Sequence, residues 1–345
     1  MRMARLTWRG GFVRAALLAG VCAVVTGALT ATARADVVLS GPTSNVGAYS
    51  TAALESLATA GDTVSAGGLT GISLWGLLGG APASSPTSPI YGDITTSTPP
   101  GDNGKNAILR YYVVGGGGGQ ASVVSAGEIN PSFGGTSATP SFVAFQTSGG
   151  TLLSQPELIV PGQSARDLSM LTSLQLTSVA AQAGVGGGES TTVTLTGPVT
   201  SPGSYDYTAL SQLTPVTTTT VSGTTYTGTP LFSFINSIDG SITTQIVNTI
   251  GTDGYDVALA LAELDPSLGG NPQDILAWAS TGTDFPTDGV ARTILPNDNK
   301  HGRWESNLYL VQVTDVVPEP GSAAVLIAGL GLFAMIRRRA QRQHD

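Results

Sequence analysis

The chain has 345 residues, 41% of them hydrophobic, and carries a formal net charge of −8, which is room for about two domains of ordinary size with packed cores. Nine of its 15 basic residues sit in the first 35 and the last nine positions, so the stretch 36–317 holds six cations against 21 acids. A body that acidic repels phosphate backbones and argues against nucleic acid as a partner.

Residues 1–35 read as a secretory signal peptide. "MRMARLTWRGGFVR" is a basic leader, "AALLAGVCAVVTGAL" an apolar stretch, and "ATARA" offers an A-x-A cleavage site at Ala33 and Ala35, before Asp36. The expected partners at this end are signal peptidase and the export machinery. The only cysteine, Cys22, lies inside the apolar stretch. Val21 before it is not the small residue that a lipoprotein site wants. The mature chain then has no disulfide, no thiolate nucleophile and no sulfur ligand for a metal.

The body repeats itself. "VVLSGPTSNVGAYSTAALESL" (37–57) aligns without gaps on "VTLTGPVTSPGSYDYTALSQL" (193–213), sharing Val37/Val193, Leu39/Leu195, Gly41/Gly197 and Pro42/Pro198 among others. "LTGISLWGLL" (69–78) matches "YTGTPLFSFI" (226–235), and "GEINPSFGG" (127–135) matches "AELDPSLGG" (262–270). Last, 158–176 matches 293–313 through Pro161/Pro296, Arg166/Arg303, Ser169/Ser306 and Leu171/Leu308. Four blocks in one order indicate a tandem duplication. The expected organisation is a first repeat at 37–179, a glycine-rich linker at 180–191 and a second repeat at 192–316.

Val193 and Leu195 alternate with threonines, a half-buried strand ended by Gly197-Pro198. Leu231, Phe234, Ile235 and Ile238 fall at helical spacing behind Pro230, and Leu74, Leu77 and Leu78 echo them. "YDVALALAEL" alternates at Val257, Leu259 and Leu261 as a strand, and "NLYLVQV" reads as another. Short helices interrupting a mainly antiparallel sheet predict an α+β class.

The second repeat resembles the molybdopterin-binding fold of the sulfite oxidase superfamily. The residues that carry this are "LTGPVTSPGSYDYTALSQL", "YTGTPLFSFI", "GTDGYDVALALAELDP" and "ILAWASTGTDFPTDGVARTILPNDNKHGRWESNLYLVQV", over nearly all of 193–315. The resemblance implies a β-rich α+β domain with a pterin pocket. Catalytic members of that family hold molybdenum through a cysteine, which the mature chain lacks, and often place a histidine where Asp288 precedes Gly289 and Arg292. The separated arginines of the leader suit export as an unfolded chain, not as a protein preloaded with cofactor. The expectation is an inherited fold without cofactor; the alternative is a molybdopterin-dependent oxidoreductase-like enzyme of the cell envelope.

Searching the body for other chemistry yields little. His301 is its only histidine, which removes hydrolytic triads and zinc sites. No D-x-D-x-D-G calcium loop is present. Glu263 and Asp265 could pose as an acid/base pair, but their counterparts Glu128 and Asn130 suit a shared turn better. The glycine run 115–119 precedes no clear helix and reads as a permissive loop. The threonine-rich run 214–229 lacks a sustained period and reads as a strand and loop. One cluster stands apart: Arg292, Lys300, His301 and Arg303, with Trp304, gather four scarce cations within thirteen positions. They are a candidate site for a small anion, against the alternative of a solvated surface with local ion pairs.

The tail 317–345 holds Pro318-Glu319-Pro320, an apolar run at 321–336 and the cluster Arg337, Arg338 and Arg339. As a helix the run would reach roughly 24 Å at about 1.5 Å per residue, a short transmembrane span whose flanking arginines snorkel to the cytoplasmic side. Those three parts in order resemble the PEP-CTERM sorting signal of Gram-negative bacteria. That resemblance implies an exosortase as partner, processing near the Pro-Glu-Pro motif, and delivery to the cell surface or extracellular matrix, where exopolysaccharide is a further expected partner. The expected function is a binding or structural role without enzymatic activity.

Overall fold

In a computed structural model, residues 36–316 are described except for 44, 59–60, 80–106, 132, 135–138, 238–240 and 282–288. The signal segment, with Ala33 and Ala35, and the whole sorting tail, with Pro318, Glu319, Pro320, the 321–336 run and Arg337–Arg339, lie outside the described residues. Among the described residues no helix is long and apolar enough to cross a membrane.

Alternation of apolar and polar residues writes the strands. In β1 (Val37–Ser40) Val37 and Leu39 are buried while Val38 faces out, and in β10 (Val193–Thr196) Val193 and Leu195 are buried in the same way. The first half continues with β2 (Gly47–Tyr49), α1 (Thr51–Leu57), β3 (Thr63–Ala66), β4 (Leu69–Ser73), α2 (Leu74–Leu77), β5 (Tyr111–Gly117) and β6 (Gln120–Ser125). It ends with α3 (Ala126–Ile129), β7 (Phe142–Thr147), β8 (Leu152–Ile159) and β9 (Leu171–Ser178). The second half holds β11 (Gly203–Tyr205), α4 (Tyr207–Ser211), β12 (Thr217–Val221), β13 (Thr224–Pro230), α5 (Leu231–Ile235), β14 (Gln245–Gly251) and β15 (Asp256–Ala260). It closes with α6 (Leu261–Leu264), β16 (Ile275–Ser280), β17 (Arg292–Ile294) and β18 (Leu308–Asp315).

These strands form four sheets. Two are five-stranded, in the orders β2-β1-β9-β5-β6 and β11-β10-β18-β14-β15; two are four-stranded, β3-β4-β7-β8 and β12-β13-β16-β17. In each five-stranded sheet the first strand pairs antiparallel with its neighbour hairpin strand and parallel with the last strand of its half. The register coincides too: Val37 faces Tyr49 where Val193 faces Tyr205. One apolar core cluster draws on both halves, from Val37 to Val313. A second, of Val114, Val123, Ile246, Ala258 and Ala260, joins the β5–β6 face to the β14–β15 face. By contact the chain from Asp36 onward is a single unit.

The α+β class expected from the sequence is corrected by this architecture, together with the sulfite-oxidase-like molybdopterin-binding fold attached to it. Among the described residues strand far outweighs helix, in four sheets, and the longest helix is the seven-residue α1. Helical spacing of apolar residues is real but lasts one turn. α5 stops at Asn236, whose φ of 41° is left-handed, and Ile238 lies outside the described residues. Leu261, expected in a strand, opens α6. The threonine-rich run forms the β12–β13 hairpin, turning at Ser222 and Gly223 with positive φ.

The segment 180–191 is bonded to the second half along its length. Val185 and Gly187 donate their N–H groups to Thr252 O (2.8 and 2.9 Å), Thr252 Oγ1 donates to Gly188 O (2.6 Å), and Tyr309 Oη donates to Ala183 O (3.0 Å).

The Gly-Pro stop after the first strand of each half is a backbone requirement. Gly41 and Gly197 have φ of 101° and 102°, and a Cβ there would sit 2.0 Å from Leu176 O and 2.1 Å from Val313 O. Gly197→Ala is therefore expected to destabilise the protein by about 1–3 kcal/mol, measured by urea unfolding; an unchanged midpoint would contradict this account of the turn.

Candidate functional site

The cation cluster singled out in the sequence leads into the protein. Arg303 closes a 3-10 turn, His301–Arg303, behind Pro296 and Asp298, and is only 4% exposed. Its guanidinium forks onto Asp298, with Nε donating to Oδ2 (2.8 Å) and Nη2 to Oδ1 (2.6 Å), while Nη1 donates to Glu263 Oε2 (2.9 Å). Such bidentate, charge-assisted contacts use the planar fork fully. Glu263 sits in the single turn of α6; its Oε1 accepts from Ala260 N (3.0 Å) and from Ser125 Oγ (3.1 Å) of the first half.

The first half carries the counterpart. Arg166, fully buried, closes the 3-10 turn Ser164–Arg166 and donates Nη1 and Nη2 to Glu128 Oε1 and Oε2 (2.6 and 2.9 Å). Nη2 also donates to Val123 O (2.6 Å), and Nη1 to Gln163 Oε1. Glu128 belongs to α3, capped by Ser125, whose Oγ accepts from Glu128 N (3.1 Å).

The two constellations interlock across the halves. A Cβ on Gly127 would lie 2.4 Å from Arg303 Cδ, and one on Gly134 would lie 2.5 Å from Arg303 Nη2. Only glycine lets the first-half loop lie this close against the second half's arginine. Asn299 N donates to Phe133 O (3.1 Å), which fastens the same loop.

Three carboxyl groups, on half-buried Glu128 and buried Glu263 and Asp298, bond to two guanidinium groups, and a further buried acid, Asp274, is bonded by Asn271 Nδ2 (3.1 Å). The surplus of acid shows in the protonation. Burial pushes Glu263 up to about 7, with Glu128 adding to the rise and Arg303 and Arg166 opposing it. Burial likewise pushes Asp274 up to about 8, opposed by Arg303 and reinforced by Glu263 and Asp298. Arg166 and Arg303 move upward: burial works against their charge, and the surrounding carboxylates outweigh it.

The other expected anion ligands do not join Arg303. Lys300 and His301 are exposed, and the imidazole stacks on Trp304 at 3.8 Å between ring centroids and 11° between planes. Arg292 stands in β17 in register with Ala277, half-buried, where it opposes the upward shift of Glu305. Asp265 caps the 3-10 turn Pro266–Leu268 by accepting from Ser267 N (2.8 Å), so it faces away from Glu263's chemistry. Asp36 is the first described residue and is exposed, and Asp288 lies outside the described residues. Among the described residues no group of three or more His, Cys, Asp or Glu is placed to hold a metal.

The sequence reading missed Arg166 and the arginine–carboxylate pairing. The signal was available: Glu128/Glu263 and Arg166/Arg303 stand at matching places in two aligned blocks, in a body with six cations.

Residues 316–340 match the PEP-CTERM protein-sorting motif. No curated protein matches the chain. The motif marks an exosortase-targeted protein that is exported and held by a C-terminal anchor before cleavage.

Removing one partner from a buried pair strands the other charge, so Arg303→Ala is expected to cost about 3–5 kcal/mol, read from chemical unfolding; a loss below about 1 kcal/mol would place the group on the surface energetically. Stability should also fall as pH rises. Glu157, Asp167, Glu263, Asp274 and Glu305 all shift upward. A folded state that holds protons more tightly than the unfolded one is favoured at low pH and loses that advantage as pH climbs through the folded pKa. Between about pH 5 and 9 the melting temperature should decline, and Glu263→Gln should flatten the decline around 7. A rising profile would contradict the assignment.

Proposed function

We propose that this chain is a surface- or matrix-directed protein with a binding or structural role and no enzymatic activity, made with a cleavable signal peptide and released by an exosortase. The observation that carries this reading is where the body ends. The last strand, β18, closes at Asp315, and Val316 N donates to Thr244 O (2.8 Å); the sorting motif begins at 316. Everything an exosortase would remove lies beyond the last backbone bond described for the folded body.

The chemistry inside the body supports the same reading. Its best-placed cation, Arg303, is spent on two internal carboxylates, and the ring of His301 is stacked on Trp304. Within this reading a matrix polymer is the partner, and no metal or pterin is bound. Elemental analysis of protein from its own host that returned stoichiometric molybdenum would overturn the second half of that statement.

The processing has a direct measurement. Intact mass of the exported protein should begin near Asp36 and lack Arg337–Arg339, and a host without its exosortase should retain the tail. Surface material carrying the full tail in both strains would overturn the sorting. A chain ended after Val316 should melt within about 2 °C of the longer form, since the last strand, β18, and the Val316 N–Thr244 O bond are both complete in it.

A further inference from the structure

Residues 183–190 of the second half lie as a glycine-rich segment, bent at Gly186–Gly188 with positive φ, over the β14–β15 turn. The turn takes hold of them through Thr252, whose carbonyl accepts from Val185 N and Gly187 N and whose hydroxyl donates to Gly188 O, and β18 adds Tyr309, which donates to Ala183 O. A Cβ on Gly184 would sit 2.3 Å from Thr252 O, so the segment must be without a side chain where it crosses.

Strand register identifies the matching place in the first half. Gly117 pairs with Leu171 as Gly251 pairs with Leu308. Gly118 thus stands for Thr252, and Thr172 for Tyr309. At that place there is a groove of about 760 Å³, lined among others by Gly116, Gly118, Ala121, Thr172, Ser173 and Thr243. Its volume falls in the range of ordinary ligand sites, about 300–1,000 Å³. Smaller side chains hollow it out: Gly116 pairs with Ala121 and Ser173, where Ile250 pairs with Asp256 and Leu310.

The walls decide the chemistry of the occupant. Among the described residues no lining residue is ionisable, so a charged ligand would lose its hydration without gaining a counter-ion from them. Nor do the described lining residues include an aromatic ring on which a sugar could stack. It offers hydroxyls and the peptide groups of the Gly118–Gly119 turn, both of positive φ, and bare glycine lets another backbone come close.

We propose that this groove binds a glycine-rich polypeptide segment with small, uncharged side chains supplied by another molecule, laid over the Gly118 turn as residues 183–190 lie over Thr252. The proposal deepens the binding role above, and its test is independent of processing and of the metal analysis. The probe is a synthetic peptide of residues 181–190, AQAGVGGGES, titrated into the exported, processed protein and followed by amide chemical shifts. Saturable shifts should appear at Gly116–Ala121 and Thr172–Ser173. A peptide with leucine at the position of Gly184 should bind at least about tenfold more weakly, a difference of about 1.4 kcal/mol, and it cannot disturb folding of the protein. Thr172→Arg, at an exposed position, should weaken the parent peptide similarly. Shifts that do not saturate, shifts confined to other surfaces, equal binding of the leucine peptide, or response of these amides to a neutral oligosaccharide and not to the peptide would each overturn the proposal.

Discussion

The docking of the two halves turns on two of the three buried arginines, Arg166 and Arg303, which each need a carboxylate partner. Arg166 finds Glu128 within its own half, and Arg303 finds Glu263 and Asp298, but the second constellation is completed from across the junction by Ser125 and by the glycines of the 127–134 loop. Burying a guanidinium costs several kcal/mol, which only near-complete hydrogen bonding offsets. A misdocked arrangement of the halves would leave that cost uncompensated. The ion pairs thus contribute more to the uniqueness of the docking than to its depth, while apolar burial in the shared core supplies the depth.

That arrangement also shapes the electrostatics seen from outside. The body holds 21 acids and six cations, and among the described residues burial takes in six of those acids (Asp256, Glu263, Asp265, Asp274, Asp298 and Glu305) against three arginines (Arg110, Arg166 and Arg303), so the exterior stays acidic. An acidic exterior keeps copies apart in solution and disfavours anionic surfaces. Lys300 and His301 remain exposed, the imidazole stacked on Trp304.

Much of the strand structure was legible because the physics is local. Val37 and Leu39, like Val193 and Leu195, alternate in the sequence and in burial alike. The Gly-Pro stops at 41–42 and 197–198 are likewise local, since the turn needs a φ that glycine alone adopts readily. Helix length was not legible. The apolar spacing around Leu231 or Leu74 is the same for one turn as for three, and what ends these turns is a residue of positive φ, Asn236 after the one and Gly79 after the other. Nor was the destination of Arg303 legible. In "NDNKHGRW" it has every mark of a surface turn, and the reason it goes inward lies over 160 residues away at Gly127 and Gly134. Position in the aligned blocks was the one clue that could have linked them.

The central place of the last strand has a consequence for the order of events during synthesis. β18 lies between β10 and β14 in its sheet, and its parallel partner β10 was made more than 110 residues earlier. A strand that must be inserted between two others is the keystone of its sheet, and this one arrives last. Until residues 308–315 have emerged, β10 has no partner on its inner side, and the second half cannot close. The second half therefore closes only once its C-terminal strand has been made, whereas the first half has its last strand, β9, complete at Ser178.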